Sequence, residues 1–121
     1  MRIDLSLVIP VFNEEDNLPH LYKRIIATLG TCKETFEMVF INDGSKDNSL
    51  NILKGLRERD GRVKIVNLSR NFGHEIATSA GLRYAKGDAV IVMESDLQRP
   101  PELIPELIAK YREGYDIVCA L

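Results

Sequence analysis

Five short apolar runs recur along the chain: Leu5–Val11, Phe36–Ile41, Val63–Leu68, Val90–Met93 and Asp116–Leu121. Each has the length of a β-strand, and the segments between them carry a different rhythm. After the first run, Leu18, Leu21, Tyr22, Ile25, Ile26 and Leu29 fall at i, i+3, i+4, i+7, i+8 and i+11. That is one apolar stripe on a helix, with Pro19 in its first turn and Gly30 as its stop. Leu50, Leu53 and Leu56 mark a second helix, capped by Ser45 or Asp47 and ending near Gly61. A third is expected from about His74 to Lys86, with Ala77, Ala80, Gly81 and Ala85 permitting close approach to a sheet. A fourth is expected from about Pro101 to Arg112, with Leu103, Ile104, Leu107, Ile108 and Tyr111 on its apolar face. The order βαβαβαβαβ predicts an α/β fold: an open, mostly parallel sheet with helices on both faces and right-handed crossovers. Val63–Leu68 alternates more than the others, so it belongs near a sheet edge.

With 121 residues, the chain has the size of one domain. A formal net charge of −2 gives no basic surface and no reason to expect nucleic acid. The apolar run after Met1 meets Pro10 and then Asn13, Glu14 and Glu15, so it reads as neither a signal peptide nor a membrane span. Cys32 and Cys119 lack the spacing of a zinc site and read as reduced thiols, which fits a cytoplasmic protein. The last apolar run, if it forms an edge strand, leaves unpaired backbone groups at that edge. That is the mark of a fragment, or of a chain that forms a homodimer or swaps elements there.

Polar residues gather where three of the strands end: Pro10 to Glu14, Asp43 to Asp47, and Glu94 to Gln98. Parallel strands share one carboxyl edge, so all three groups open on the same rim, where open α/β sheets bind ligands. Glu94, Asp96 and Gln98 stand at every second position and would face the same way along an extended chain. Two carboxylates and an amide oxygen suit a hard cation, while a strand running into an acidic, solvated loop is the plainer reading of the same residues. A ligand with a hydrogen-bonding base, a ribose and a charged tail fits this rim, with Glu14 and Asp43 as acceptors. Glu94 and Asp96 would repel a diphosphate unless a divalent cation lay between, and oxygen-only ligands favour Mg²⁺ or Mn²⁺ over zinc.

Four stretches now carry a resemblance. They are Val8-Ile9-Pro10-Val11-Phe12-Asn13-Glu14-Glu15, Ile41-Asn42-Asp43-Gly44-Ser45-Lys46-Asp47, Asn71-Phe72-Gly73, and Glu94-Ser95-Asp96-Leu97-Gln98-Arg99-Pro100-Pro101-Glu102. Taken in order, they resemble the family 2 glycosyltransferases of the GT-A fold, and most closely the branch that transfers sugars to polyprenyl phosphates. The resemblance implies that Pro10, Phe12, Glu14, Ile41 and Asp43 hold the nucleoside of a nucleotide-diphosphate sugar. It places Glu94, Asp96 and Gln98 at a D-x-D-x-Q motif for Mg²⁺ or Mn²⁺, with Asp96 at the catalytic centre. Two positions depart from the family pattern. Glu94 replaces the first aspartate and is one methylene longer, and Arg99 puts a cation beside the metal loop.

The implied reaction is transfer of a sugar to an acceptor, a lipid phosphate in that branch, at the cytoplasmic face of a membrane. Residues 1–121 would then be the nucleotide-sugar-binding part of the domain, and the acceptor-binding half of such proteins would follow Leu121. The second reading is a non-catalytic module that keeps the fold and its nucleotide affinity for assembly or regulation. A phosphoacceptor receiver domain shares the acidic strand ends but fits the Pro-Val-Phe-Asn-Glu and Glu-Ser-Asp-Leu-Gln runs poorly. His74, at a helix start, reads either as a phosphate donor or, more plainly, as an exposed or locally bonded first-turn side chain. Arg70 and Asn71 are further phosphate candidates.

Overall fold

A computed structural model describes residues 2–30, 32–95, 105–106, 109 and 118–120. The elements are β1 (Leu5–Val11), α1 (Leu18–Leu29), β2 (Phe36–Asn42), α2 (Ser49–Arg59), β3 (Val63–Asn67), α3 (His74–Tyr84), β4 (Ala89–Val92) and β5 (Val118–Ala120). The five strands form one sheet in the order β3-β2-β1-β4-β5, and every pairing is parallel. β3 is an edge strand, as its alternation predicts, and β5 is the other. Of the helix expected over 101–112, Pro105, Glu106 and Ala109 are helical, and the remainder lies outside the described residues.

The strand period of two divides the core in two. Leu5, Leu7, Ile9 and Val11 of β1 join Phe36, Met38 and Phe40 of β2 beneath Leu18, Leu21, Ile25 and Leu29 of α1 and Leu53 and Leu56 of α2. The alternate residues Val8, Val39 and Ile41 meet Ala77 of α3 on the opposite face. Helices therefore cover both faces, and β1 and β2 read as uninterrupted apolar runs because neither face is wet. Gly81 allows α3 to lie this low. A Cβ at that position would sit 2.5 Å from both Ile41 Cδ1 and Val8 Cγ1.

Pro10 does not end β1, which continues to Val11 although proline cannot donate to a ladder. The geometry explains why. Odd-numbered residues of β1 face β2, since the Asp43 N–H donates to the Val11 carbonyl (2.8 Å). Even-numbered ones face β4, since the Met93 N–H donates to the Val8 carbonyl (2.9 Å). β4 pairs with β1 only from Leu5 to Val8, so the missing N–H of Pro10 points to where β4 has already left the ladder.

Two polar clusters tie the layers together away from this rim. At the amino edge the buried Glu37 accepts through Oε2 from the Ser6 hydroxyl (2.6 Å) and the Lys86 N–H (2.7 Å). The Gly87 N–H in turn donates to Ser6 Oγ (2.8 Å), fastening the α3–β4 turn to β1. Asp60, after α2, accepts from the Arg62 guanidinium at both oxygens (2.9 Å each) and from the Tyr22 hydroxyl of α1 (2.7 Å). The Arg62 guanidinium above all holds the Asp60 carboxyl at about 2, against the opposing push of burial and with help from the Arg62 N–H and Tyr22. A group lowered in this way stabilises the fold fully above its unfolded value near 3.8 and loses that effect as pH falls through about 2. Asp60→Asn is therefore expected to cost about 2 kcal/mol in urea unfolding at pH 7. The gap between variant and parent should close as the titration is repeated toward pH 2, and a constant gap would refute the assignment.

Candidate active site

The order β3-β2-β1-β4-β5 reverses direction between β1 and β4, and there the carboxyl ends of the strands part. A cleft of about 350 Å³ lies at this point. It is lined by Pro10 and Val11 at the end of β1, Phe12 and Glu14 after it, Asp43 after β2, Asn71 and Gly73 before α3, His74 at the start of α3, and Glu94 and Ser95 after β4. Four separate stretches of sequence thus meet on one rim. The volume is within the range of small-molecule sites.

The cleft walls are held by hydrogen bonds between loops. Asn13 adopts φ 53°, a left-handed conformation that asparagine tolerates better than most residues. From that position its Oδ1 accepts from the Lys46 N–H (2.8 Å) and the Asp47 N–H (3.4 Å), while its own N–H donates to Ser45 Oγ (3.0 Å). Next to it, the Glu14 N–H donates to Ser49 Oγ (3.0 Å) and the Glu15 N–H to Asp47 Oδ2 (3.1 Å). Asp47 Oδ1 accepts from the Ser49 N–H (2.9 Å), so it serves the start of α2, although Asn48 occupies the cap position itself. Burial pushes the Asp47 carboxyl up, but the Ser49 hydroxyl and N–H and the Glu15 N–H together outweigh it and hold the group below its ordinary value. The β1–α1 and β2–α2 loops are in effect one unit.

Asp43 joins that unit to the next loop. Its Oδ1 accepts from the Phe72 N–H (2.8 Å) and its Oδ2 from the Gly73 N–H (3.1 Å), and its carbonyl accepts from Asn71 Nδ2 (3.3 Å). Across the cleft, Glu94 Oε1 lies 2.9 Å from His74 Nε2, linking the end of β4 to the first residue of α3. His74 is thus an exposed first-turn side chain that lines the cleft and is paired across it with Glu94. Phe12 lines the cleft, 43% exposed, and among the described residues it belongs to neither core cluster. Arg70 lies over the Phe72 ring, 4.7 Å from its centroid, and is not among the residues lining the cleft.

Of the residues expected at the nucleotide, Pro10, Phe12, Glu14 and Asp43 line the cleft. Ile41 does not: it is fully buried between the sheet and Gly81, so any part it plays is through the backbone it anchors. Of the three expected metal ligands, Glu94 is on the cleft wall, while Asp96 and Gln98 lie outside the described residues, as does Arg99. Among the described residues no three His, Cys, Asp or Glu side chains converge as a cation site. A half-exposed carboxylate paired with a histidine is a suitable hard oxygen donor, though one ligand does not define a site.

The profile of glycosyl transferase family 2 matches residues 6–121, nearly the whole chain and all four of the stretches that meet at the cleft. The chain belongs to glycosyl transferase family 2. It is 58% identical over 120 residues, 99% of its length, to an uncharacterized glycosyltransferase of Synechocystis sp., covering 38% of that protein. It is 48% identical over 115 residues, 94% of its length, to the undecaprenyl-phosphate 4-deoxy-4-formamido-L-arabinose transferase of Pseudomonas fluorescens, covering 34% of it. The chain thus spans little more than a third of the length of these relatives. Among solved structures it is similar to residues 1–349 of S. aureus TarS in complex with UDP-GlcNAc. There the TM-score is 0.76 at 26% identity, over 92% of this chain and 32% of that one. The mannosyltransferase PcManGT of Pyrobaculum calidifontis, in complex with GDP-Man and Mn²⁺, shares the fold at TM-score 0.59 and 16% identity, over 79% of this chain and 28% of that one.

For this family 2 domain, the residues that sequence reasoning missed are Asn13, Ser45 and Ser49, whose work is to join loops. A polar residue followed by an acidic run, as in Asn13-Glu14-Glu15, signals a turn but not its distant partners. Asn13→Ala is expected to cost about 2–3 kcal/mol in urea unfolding, combining lost acceptors with a left-handed backbone that alanine resists. Asn13→Gly should cost about 1 kcal/mol less than Asn13→Ala, since glycine accepts that conformation. Equal losses in the two variants would show that backbone conformation contributes nothing there.

Proposed function

We propose that this domain binds the donor of a metal-dependent glycosyltransferase, which moves a sugar from a nucleotide-diphosphate sugar to a polyprenyl phosphate. The observation that carries the reading is the meeting of Pro10, Phe12, Glu14, Asp43 and Glu94 in one cleft at the switch point of a parallel sheet. The relatives named for undecaprenyl-phosphate transfer and the TarS complex with UDP-GlcNAc support it.

In this reading the nucleoside lies against Pro10 and under the exposed ring of Phe12, with Glu14 as an acceptor for its N–H or hydroxyl groups. Asp43 lines the cleft beside it, and the buried Ile41 anchors the strand end that carries Asp43. Asn17 Nδ2 donates to Glu14 Oε2 (2.7 Å), which turns the carboxylate and leaves its other oxygen for the ligand. Glu94, with Asp96 and Gln98 outside the described residues, would hold Mg²⁺ or Mn²⁺, which supplies positive charge beside the diphosphate as it departs. The acceptor phosphate, largely dianionic at neutral pH, attacks the anomeric carbon with an oxygen lone pair. The bond from that carbon to the diphosphate oxygen breaks, and its electrons leave with the nucleoside diphosphate. No proton has to be removed from such a nucleophile, so the cleft needs no histidine–carboxylate base. We place the reaction at the cytoplasmic face of a membrane, where a nucleotide sugar and a lipid phosphate meet. Among the described residues no helix is long and apolar enough to cross a membrane.

Titration calorimetry of this chain with UDP and GDP, with Mn²⁺ and then with EDTA, tests the donor half. Binding of at least one nucleotide is expected, weakened about tenfold or more without the metal. Phe12→Ala should weaken it by a further factor of about 5–30, the loss of one base–aromatic stack. Metal-independent binding, or none, contradicts the reading. The module reading retains the same cleft without turnover, and sugar transfer from labelled nucleotide sugar by this chain would exclude it.

A further inference from the structure

We propose that the open edge of β3 is a docking site for an extended acidic segment of a partner protein, which adds to the sheet as a sixth strand. The parity of the ladder decides which backbone groups are on offer. The Leu68 N–H donates to the Asn42 carbonyl (3.0 Å) and the Met38 N–H to the Arg62 carbonyl (2.8 Å), so even-numbered residues of this segment face β2. Ile65 and Asn67 therefore turn their N–H and C=O groups outward, to the edge. The Val63 N–H also points outward, but it already donates to the Asp60 carbonyl (3.1 Å). Among the described residues, no backbone group meets those of Ile65 and Asn67 on that side.

Beside this edge lies a groove of about 380 Å³, lined by Lys64 to Asn67 of β3, Glu37 of β2, and Tyr84 and Lys86. Lys64 and Val66 pair with Val39 and Ile41, so their side chains share the face that carries α3. That helix lies over β1 and β2, which leaves the same face of β3 open. Val66 is half-buried there, and Tyr84 is 62% exposed. The exposed charges of the groove are both positive: Lys64 and Lys86 have no carboxylate partner among the described residues. Glu37 is buried and already accepts from the Ser6 hydroxyl and the Lys86 N–H. A second hollow, about 460 Å³, shares Glu37 and Lys64 with the groove and adds Lys33 and Arg62 against Glu34. Lysine on an edge strand guards against self-pairing. A second copy of this chain would bring its own Lys64 and Lys86 to the same face of the joined sheet, where like charges repel. The same lysines attract an acidic strand. Alternate side chains of the added segment fall on the α3 face beside them, and its main chain meets the outward groups of Ile65 and Asn67.

The probe is a fluorescently labelled peptide of alternating glutamate and valine. Its counterparts are a lysine–valine peptide and a glutamate–proline peptide of equal charge, which is a poor ladder partner. Titrated onto the chain by fluorescence anisotropy, the glutamate–valine peptide should bind about tenfold or more tighter than either counterpart. At saturation, amide hydrogen exchange should slow about tenfold at Ile65 and Asn67 and stay unchanged at Lys64 and Val66, whose N–H groups already face β2. Lys64→Glu combined with Lys86→Glu should weaken the glutamate–valine peptide about tenfold or more and strengthen the lysine–valine peptide. If that variant does not fold, the three peptides on the parent chain decide the matter. No binding of the glutamate–valine peptide, equal binding of either counterpart, or protection away from β3 overturns the proposal. So does a parent chain that sediments as a dimer with Ile65 and Asn67 already protected, since a second copy then holds the edge.

Discussion

The central strand decides where anything can bind. β1 pairs with β2 over seven residues and with β4 over only four, so one side of its ladder ends early. Pro10 falls in the shortfall, where an N–H would have had no acceptor in β4. The sheet must part beyond Val8, and the loops that follow β1, β2 and β4 are left facing each other across the gap. Among the described residues, positive φ is confined to Asn13, Gly44 and Gly73, and each of these stands where two loops come together. The site is a property of strand lengths first and of side chains second.

Loops at such a rim have to satisfy their own backbone groups, since they lack the ladder that satisfies the strands. This chain uses short polar side chains for the purpose. Asn13, Asp43, Ser45, Asp47 and Ser49 each accept from an amide in another loop or at the start of a helix. Residues that look like ligand groups in the sequence are in several cases the mortar between segments. The division falls within a single motif: Glu14 and Phe12 face the cleft while Asn13, between them, faces Lys46 and Asp47.

The fold was legible because buried parallel strands and amphipathic helices have different periods, and this chain keeps them apart. Leu18 to Leu29 and Phe36 to Ile41 could hardly be exchanged for one another. The edge position of β3 was legible from Lys64 and Asn67, polar residues that break the apolar run of Val63, Ile65 and Val66. The rim was legible as a place, since parallel strands must end together. The roles within it were not. Whether Ile41 faces a ligand or α3 depends on which face of β2 its parity selects, and only Gly81 packing against it decides that. That the Asp43 carboxylate also meets the Phe72 and Gly73 amides depends on a contact some thirty positions away, which composition and spacing do not encode.

The close seating of α3 on the sheet has a mechanical meaning. With no side chain at Gly81 to cushion it, the helix rests directly on Val8 and Ile41, and its leading end delivers Gly73 and His74 to the cleft. Such a helix behaves as a stiff beam on a hard bearing. A methyl group more or less beneath its middle would tilt its tip, so the width of the binding gap is governed in part from the hydrophobic interior, out of reach of any ligand.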